Sequence, residues 1–159
     1  AAGIDMITGL TINNTDEAIG IVRASQHYEI PCVISFTVQR NGLLRTGQPL
    51  KEAIAEVDEQ TNKGPAYYMI NCAHPLEFGP VLENAEWVKR IRGIRSNASS
   101  LEHGILCKLG HLEEGNPVEL GIQHGQIARR FPHINVWGGC CGTDHVHIEE
   151  ICKNVLEVR

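Results

Sequence analysis

Several absences narrow the reading of this 159-residue chain before any motif is considered. No uninterrupted apolar run approaches the roughly 20 residues that cross a bilayer. Positive charge is not in excess. The formal net charge is −5, which argues against a nucleic acid or an anionic membrane as partner, since both want a basic face. No glycine fingerprint of a dinucleotide site or a P-loop follows any strand-like run. The opening Ala1-Ala2-Gly3-Ile4-Asp5 has no basic segment leading into an apolar stretch, so no signal peptide is expected. It has no initiator Met either, and it runs at once into a strand-like stretch, as an interior piece of a longer chain would. With 42% hydrophobic and 21% charged residues, the composition is that of an ordinary soluble globular protein. Residues 1–159 are expected to form one domain.

Six cysteines are present, at 32, 72, 107, 140, 141 and 152. Three disulfides in a secreted scaffold would use them all, but a chain this long and this rich in Val, Ile and Leu needs no staples. Adjacent Cys140 and Cys141 would bond each other only through a strained ring. A reducing, cytoplasmic compartment with thiols used for chemistry is the better reading.

One rhythm repeats along the chain. Gly3 to Thr11 reads as a buried strand, and Thr15-Asp16-Glu17-Ala18 opens a helix with an N-cap and an acidic first turn. Pro31 to Val38 is a second strand, followed by a loop punctuated at Asn41-Gly42 and Thr46-Gly47. A helix then begins at Pro49, with Leu50, Ala53, Ile54 and Val57 on one face. Ala66 to Cys72 is a third strand, and a helix is expected around Val81, Leu82, Trp87, Val88 and Ile91. Gly93 to Asn97 makes a weaker fourth strand, and Ser99 to Asn116 reads as loop. Pro117 starts a helix with Val118, Leu120, Ile122 and Ile127 inward, and His133 to Trp137 is a fifth strand. A last helix from about Asp144 turns Ile148, Ile151, Cys152, Val155 and Leu156 inward. Trp87 and Trp137 are expected in the core. Strands alternating with helices at this spacing mean βαβ units and a parallel sheet. Strands apolar on both faces imply that both are covered, as in a barrel or a doubly wound sheet.

In either architecture the chemistry gathers at the carboxyl ends of the strands. The third strand ends in Asn71-Cys72-Ala73-His74-Pro75, the fourth at Asn97, and the fifth in Gly138-Gly139-Cys140-Cys141-Gly142-Thr143. Cys72, Cys140 and Cys141 thus converge from two strand ends. Zinc takes thiolates in tetrahedral geometry, and a catalytic zinc keeps its fourth position open. Three thiolates and an open position suit a substrate that is itself a thiol, because binding strips its proton and makes the nucleophile. The flanking glycines allow adjacent cysteines to turn toward one ion.

Duller roles stand beside these. A closed structural zinc with His74, His145 or His147 as fourth ligand is the main rival. His74 also fits a plain loop residue, and His145 and His147 fit the start of the last helix, one of them exposed. Cys32, Cys107 and Cys152 read as small buried hydrophobes. Asn71 and Asn97 either contact a polar ligand or cap loops, and Thr143 also suits the last helix's N-cap. A redox dithiol at Cys140-Cys141 is the weakest reading, since such pairs usually have two residues between them.

Asn71-Cys72 with His74-Pro75, then Gly138-Gly139-Cys140-Cys141-Gly142-Thr143 ahead of the final helix, resembles the homocysteine S-methyltransferase family. Ser35-Phe36-Thr37 with Gly42, Gly47 and Leu50 is similar to the family's preceding strand and loop. Ser96-Asn97 takes the place of its usual Tyr-Pro-Asn. The resemblance runs over essentially the whole chain, in order. It implies a (β/α)₈ TIM-type barrel, of which the five strands here match the last five, the amino-terminal strands being absent. The chain would then be a partial barrel domain, since such a barrel takes about 250 residues; as a fragment it would not turn over by itself. The resemblance further implies zinc on Cys72, Cys140 and Cys141, with homocysteine thiolate at the fourth position. Methyl transfer from S-methylmethionine, S-adenosylmethionine or betaine gives methionine. Thr11, Asn71 and Asn97 are the implied substrate-binding residues. The implied partners are the small-molecule thiol and the methyl donor, with no nucleic acid, no membrane, and a homo-oligomer left open. Where the family commonly has Glu-Thr, this chain reads Leu10-Thr11, and the missing carboxylate would have held the substrate's amino group. Another thiol or a selenol as acceptor, and a structural-zinc binding module without catalysis, are the alternatives this leaves.

Overall fold

The structure is a computed structural model describing residues 3–101, 103–106 and 108–158. Five parallel strands form one sheet in the order of the sequence: β1 (Ile7–Ile12), β2 (Cys32–Phe36), β3 (Tyr67–Asn71), β4 (Ile91–Ser96) and β5 (Val136–Gly139). A doubly wound sheet reverses its strand order at a switch point. No reversal occurs here, as in successive βα units laid down around a barrel. The sheet is open, with β1 and β5 as its edges.

The main helices are α1 (Thr15–His27), α2 (Leu50–Gln60), a short α3 (Pro75–Phe78), a short α4 (His103–Leu106), α5 (Pro117–Arg130) and α6 (His145–Leu156). Helix α1 starts where Asn14 accepts a hydrogen bond from the Glu17 backbone at 2.8 Å, so Asn14, one residue ahead of Thr15, is the cap. Ala18, Ile19 and Val22 of α1, Leu50, Ala53, Ile54 and Val57 of α2, and Ile127 of α5 pack with Ile34, Phe36, Tyr68, Ile70, Ile91 and Ile94 into one cluster. Ile34 and Phe36, and Tyr68 and Ile70, alternate along their strands, and the shift in the β3–β4 register brings Ile91 and Ile94 to the same face. The intervening residues (Leu10, Ser35, Met69, Asn71, Arg95) look the other way, where Leu10 is 42% exposed. On that second face Val33, Ser35, Met69 and Asn71 are nevertheless buried.

Other differences have local causes. Strand β1 starts at Ile7, and β5 begins at Val136 because Ile134 is still in a turn donating to Phe131 O. The helix expected around Val81–Ile91 is replaced by α3 and two 3₁₀ turns, Gly79–Val81 and Glu86–Arg90, and Ile91 opens β4. Pro80 supplies no N–H there and disfavours a continuous helix. On α5 and α6 Leu120, Ile127, Ile151 and Val155 are buried as expected, but the rest of the expected inward faces is not. Val118, Ile122, Ile148 and Leu156 are exposed, as is Cys152, while His124, His147, Ile151 and Val155 are buried. The reason is close backbone packing: a Cβ on Gly121 would meet Glu150 O at 2.7 Å, and one on Gly125 would meet Asn154 at 3.1 Å. Cys32 is buried as expected. Cys107 lies outside the described residues. Trp87 and Trp137 are half-buried against the core.

Candidate metal centre

The carboxyl ends of β3 and β5 bring three sulfurs together. The Sγ atoms of Cys72, Cys140 and Cys141 all lie within 4.8 Å of one another. Strand β4, which lies between the two ends, sets their spacing. The Cys72 N–H donates to Arg95 O at 3.2 Å and the Cys140 N–H to Ser96 O at 2.8 Å. Just past β4, the Asn97 side-chain amide donates to Cys72 O at 3.1 Å, and the Ala98 N–H to Cys141 O at 3.0 Å. Both cysteine segments are thus hung on one template.

Local backbone then aims the thiols. Cys72 has φ 53°, in the left-handed region that a non-glycine residue adopts only under constraint. Gly142, at φ 77°, closes the turn after Cys141. Gly139 acts differently. Its φ is not positive, and what it provides is room: a Cβ there would meet the Thr143 hydroxyl, which donates to Cys140 O at 2.7 Å. Thr143 is therefore bound into the turn, and Asp144 caps α6, accepting from Val146 N and His147 N.

The donor set and spacing suit a metal ion. Two sulfurs at about 2.3 Å from a tetrahedral ion lie about 3.8 Å apart, and Cys72 and Cys141 stand at 3.9 Å. Cys72 and Cys140 are in sulfur–sulfur bonding contact, so the close pair joins β3 to β5 and does not involve the adjacent residues Cys140 and Cys141. Among the described residues the cluster holds no fourth protein ligand. His74 caps α3, its Nδ1 accepting from Leu76 N, and burial lowers its pKa to about 4. His145 is exposed beside Asp144. His147 is buried with both ring nitrogens engaged, Nδ1 with the Asp144 carboxylate and Nε2 with Glu114 O, each at 2.7 Å. These bonds join the loop before α5 to the start of α6.

Thr11, Asn71 and Asn97 lie around this cluster. The β1–β2 register shifts between Gly9 and Ile12, and Thr11 at φ 60° sits in that irregularity. Its N–H donates to Asn71 Oδ1 at 2.9 Å, and its hydroxyl accepts from Asn71 Nδ2 at 2.8 Å. Asn71 Oδ1 also accepts from Ser35 Oγ at 2.6 Å, and Thr37 Oγ1 donates to Asn71 O at 3.0 Å. The ties from Ser35 and Thr37 were not foreseen. A lone serine within the otherwise apolar run Cys32-Val33-Ile34-Ser35-Phe36 is the signal that marks one of them. Asn97 is 5% exposed and its Oδ1 is buried without a partner, leaving one acceptor open beside the Cys72 carbonyl. Leu10, beside Thr11 on β1, is exposed.

The chain is thus an α/β protein with a singly wound five-stranded parallel sheet and three cysteine sulfurs gathered at its carboxyl edge. The homocysteine S-methyltransferase family matches residues 1–155, and the chain belongs to it. The crystal structure of the homocysteine methyltransferase MmuM from Escherichia coli, in its apo form, is similar with a TM-score of 0.56 at 19% identity. The match covers 96% of this chain and 51% of that one, so this chain spans about half the length of the protein it resembles. At that identity the likeness concerns the fold. No curated protein matches the chain. Among the described residues no helix is long and apolar enough to cross a membrane.

Proposed function

We propose that this chain carries the zinc-holding part of a homocysteine S-methyltransferase barrel, whose remaining strands lie outside it, and that the whole transfers a methyl group to homocysteine to give methionine. The observation that carries the reading is the convergence of Cys72, Cys140 and Cys141 in a member of this family. A zinc ion held by the three thiolates would supply a positive centre that favours the deprotonated form of an incoming thiol. The chain's own residues hold and orient. The template of β4 fixes the two cysteine segments, and the open acceptor of Asn97 and the hydroxyl of Thr11 face the substrate's polar end. The substrate sulfur, its proton gone to solvent, attacks the methyl carbon in line. The new S–C bond forms as the donor's bond to the methyl breaks, and that electron pair leaves with the donor. The catalytic work is positioning and deprotonation. Donors of the required chemistry are sulfonium or quaternary ammonium compounds such as S-methylmethionine, S-adenosylmethionine or betaine. Reduced thiols suit the cytoplasm, and the number of copies follows from how the barrel is completed.

The test is zinc per chain on the reduced protein, with Cys140→Ser, Cys141→Ser as control. About one zinc is expected, lost in the control. None in a folded, reduced chain overturns the reading and turns attention to the Cys72–Cys140 pair as a dithiol. The apolar Leu10 favours one second reading, a different thiol or selenol as acceptor. Comparing methyl transfer to homocysteine and to such acceptors, with the complete barrel, separates the two. A bound metal whose spectrum ignores every added thiol would indicate a structural site.

A further inference from the structure

We infer that Asn71 is a positioning residue for the thiol cluster, its side-chain amide orienting the Cys140 sulfur from behind. The inference rests on the zinc reading above and concerns how that site is held.

The amide's orientation follows from its partners. The Thr11 backbone N–H can only donate, so the atom facing it is the oxygen. Oδ1 thus takes Thr11 N at 2.9 Å and Ser35 Oγ at 2.6 Å, filling both lone pairs. Nδ2 gives one proton to Thr11 Oγ1 at 2.8 Å and turns its other toward Cys140 Sγ at 3.9 Å, a long contact but within reach of a sulfur acceptor. Asn71 is 2% exposed, and its four hydrogen-bonding positions are all used. It has no capacity left for a ligand, which gives it a role other than the direct substrate contact that the sequence implied. What it does have is a fixed N–H aimed at a ligand sulfur from a side chain clamped to β1 and β2. Three thiolates leave one negative charge uncompensated on a divalent ion, and a hydrogen bond donated to one sulfur offsets part of it. The clamp also accounts for Thr11: its left-handed φ and the irregularity in β1 present both its N–H and its hydroxyl to one amide.

The experiment measures Co(II) affinity of the reduced 159-residue chain by competition with a chromophoric chelator. The thiolate-to-cobalt absorption band and the melting temperature of the metal-free protein are recorded alongside. Asn71→Asp replaces the N–H facing sulfur by an anionic oxygen and is expected to weaken Co(II) binding 10- to 100-fold, the range typical of groups that support metal ligands. Thr11→Val, at an exposed position, removes only the hydroxyl that orients the amide and is expected to weaken binding about fivefold. Asp58→Ala, which disrupts a partly buried ion pair on the helix side, lowers the melting temperature but leaves Co(II) affinity within about twofold. If Asn71→Asp does not fold, Thr11→Val decides. Wild-type affinity and an unchanged band in either folded variant at position 71 or 11 overturn the inference, as does an equal loss in Asp58→Ala. A wild-type chain that is folded and reduced yet binds no Co(II) overturns the zinc reading itself, and the inference with it.

Discussion

Gly142→Ala probes whether the cysteine turn is rigid. Gly142 has φ 77°, and a left-handed conformation costs an L-residue about 1–2 kcal/mol. A Cβ there would also lie 2.2 Å from Glu113 O and 3.2 Å from Glu113 C, and these are backbone atoms that no rotamer change moves aside. The segment behind them is pinned. Glu114 O accepts from His147 Nε2 at 2.7 Å, and Gly115 packs so tightly that a Cβ on it would meet Ala98 O at 2.2 Å. Overpacking of this kind adds about 1–3 kcal/mol. The sum is about 2–5 kcal/mol. Gly47 supplies the comparison: its φ is 86°, but nothing lies within 4 Å of its would-be Cβ, so Gly47→Ala costs the backbone part alone, about 1–2 kcal/mol. At this chain length each kcal/mol lowers the melting temperature by about 2–4 °C, so urea or thermal unfolding resolves the two variants. Because Cys141 is the adjacent residue, and its carbonyl is tied to Ala98, only Gly142→Ala should also weaken Co(II) binding. A Gly142→Ala protein as stable as Gly47→Ala, with wild-type metal affinity, would refute the reasoning: the loop would then be free to give way.

Two further outcomes concern the helix side. Asp58 receives Arg90 through two contacts of 2.9 Å and the Tyr68 hydroxyl at 2.8 Å, all largely buried. Asp58→Ala strands a guanidinium and a phenol, and is expected to cost about 3–5 kcal/mol in urea unfolding; a loss under about 1 kcal/mol would mean that the pair is solvated. His74 and His124 are both held neutral by burial, with pKa values lowered to about 4 from 6.5. The unfolded chain therefore binds more protons between those limits. The stability this represents is complete above pH 6.5 and is lost as pH falls toward 4, with a slope of at most about 1.4 kcal/mol per pH unit per histidine. Urea midpoints of the metal-free chain between pH 7 and 4.5 should show this slope, shallower in His124→Gln, and a flat profile in the parent would refute it.

What the sequence shows of this protein depends on how local each signal is. The parallel α/β class follows from β-branched runs such as Cys32–Phe36 alternating with 3.6-period segments, and those elements form close to where the pattern puts them. Apolar spacing finds only part of the inward faces of α5 and α6 (Leu120, Ile127, Ile151 and Val155), because the closest contact is made by Gly121 and Gly125 lying against the other helix's backbone and Asn154. Large side chains such as Val118 and Ile122 are then left outside. Between α3 and β4 the apolar pattern misleads: Leu82 and Val88 are buried as on a helix face, but from separate 3₁₀ turns and the connection between them. Of the cluster, Cys140 and Cys141 are legible because glycines bracket them, and Cys72 because Asn71 precedes it. The left-handed φ of Cys72, the irregularity at Thr11 and the tie from Thr37 are products of tertiary hydrogen bonding, and no residue type in the chain declares them.

The geometry of the cluster also explains how a chain that covers 51% of its structural neighbour can by itself bring three thiols together. Cys72 and Cys140 hang from successive carbonyls of β4, those of Arg95 and Ser96, while Asn97 and Ala98, just beyond, hold the carbonyls of Cys72 and Cys141. Everything that spaces the sulfurs is therefore contained between residues 71 and 142, in three adjacent strands. The outer strands β1 and β2 reach the cluster only through the Asn71 amide and carbonyl. On the proposed function, holding a metal and presenting a substrate to it draw on different parts of this fold. The first rests on β3, β4 and β5, with the Asn71 clamp from β1 and β2 behind them. The second draws on the edge of the sheet at β1, where Leu10 stands exposed. It follows that a substitution at Leu10 should shift acceptor choice while leaving metal affinity alone, whereas disturbing the template at Asn97 should affect both.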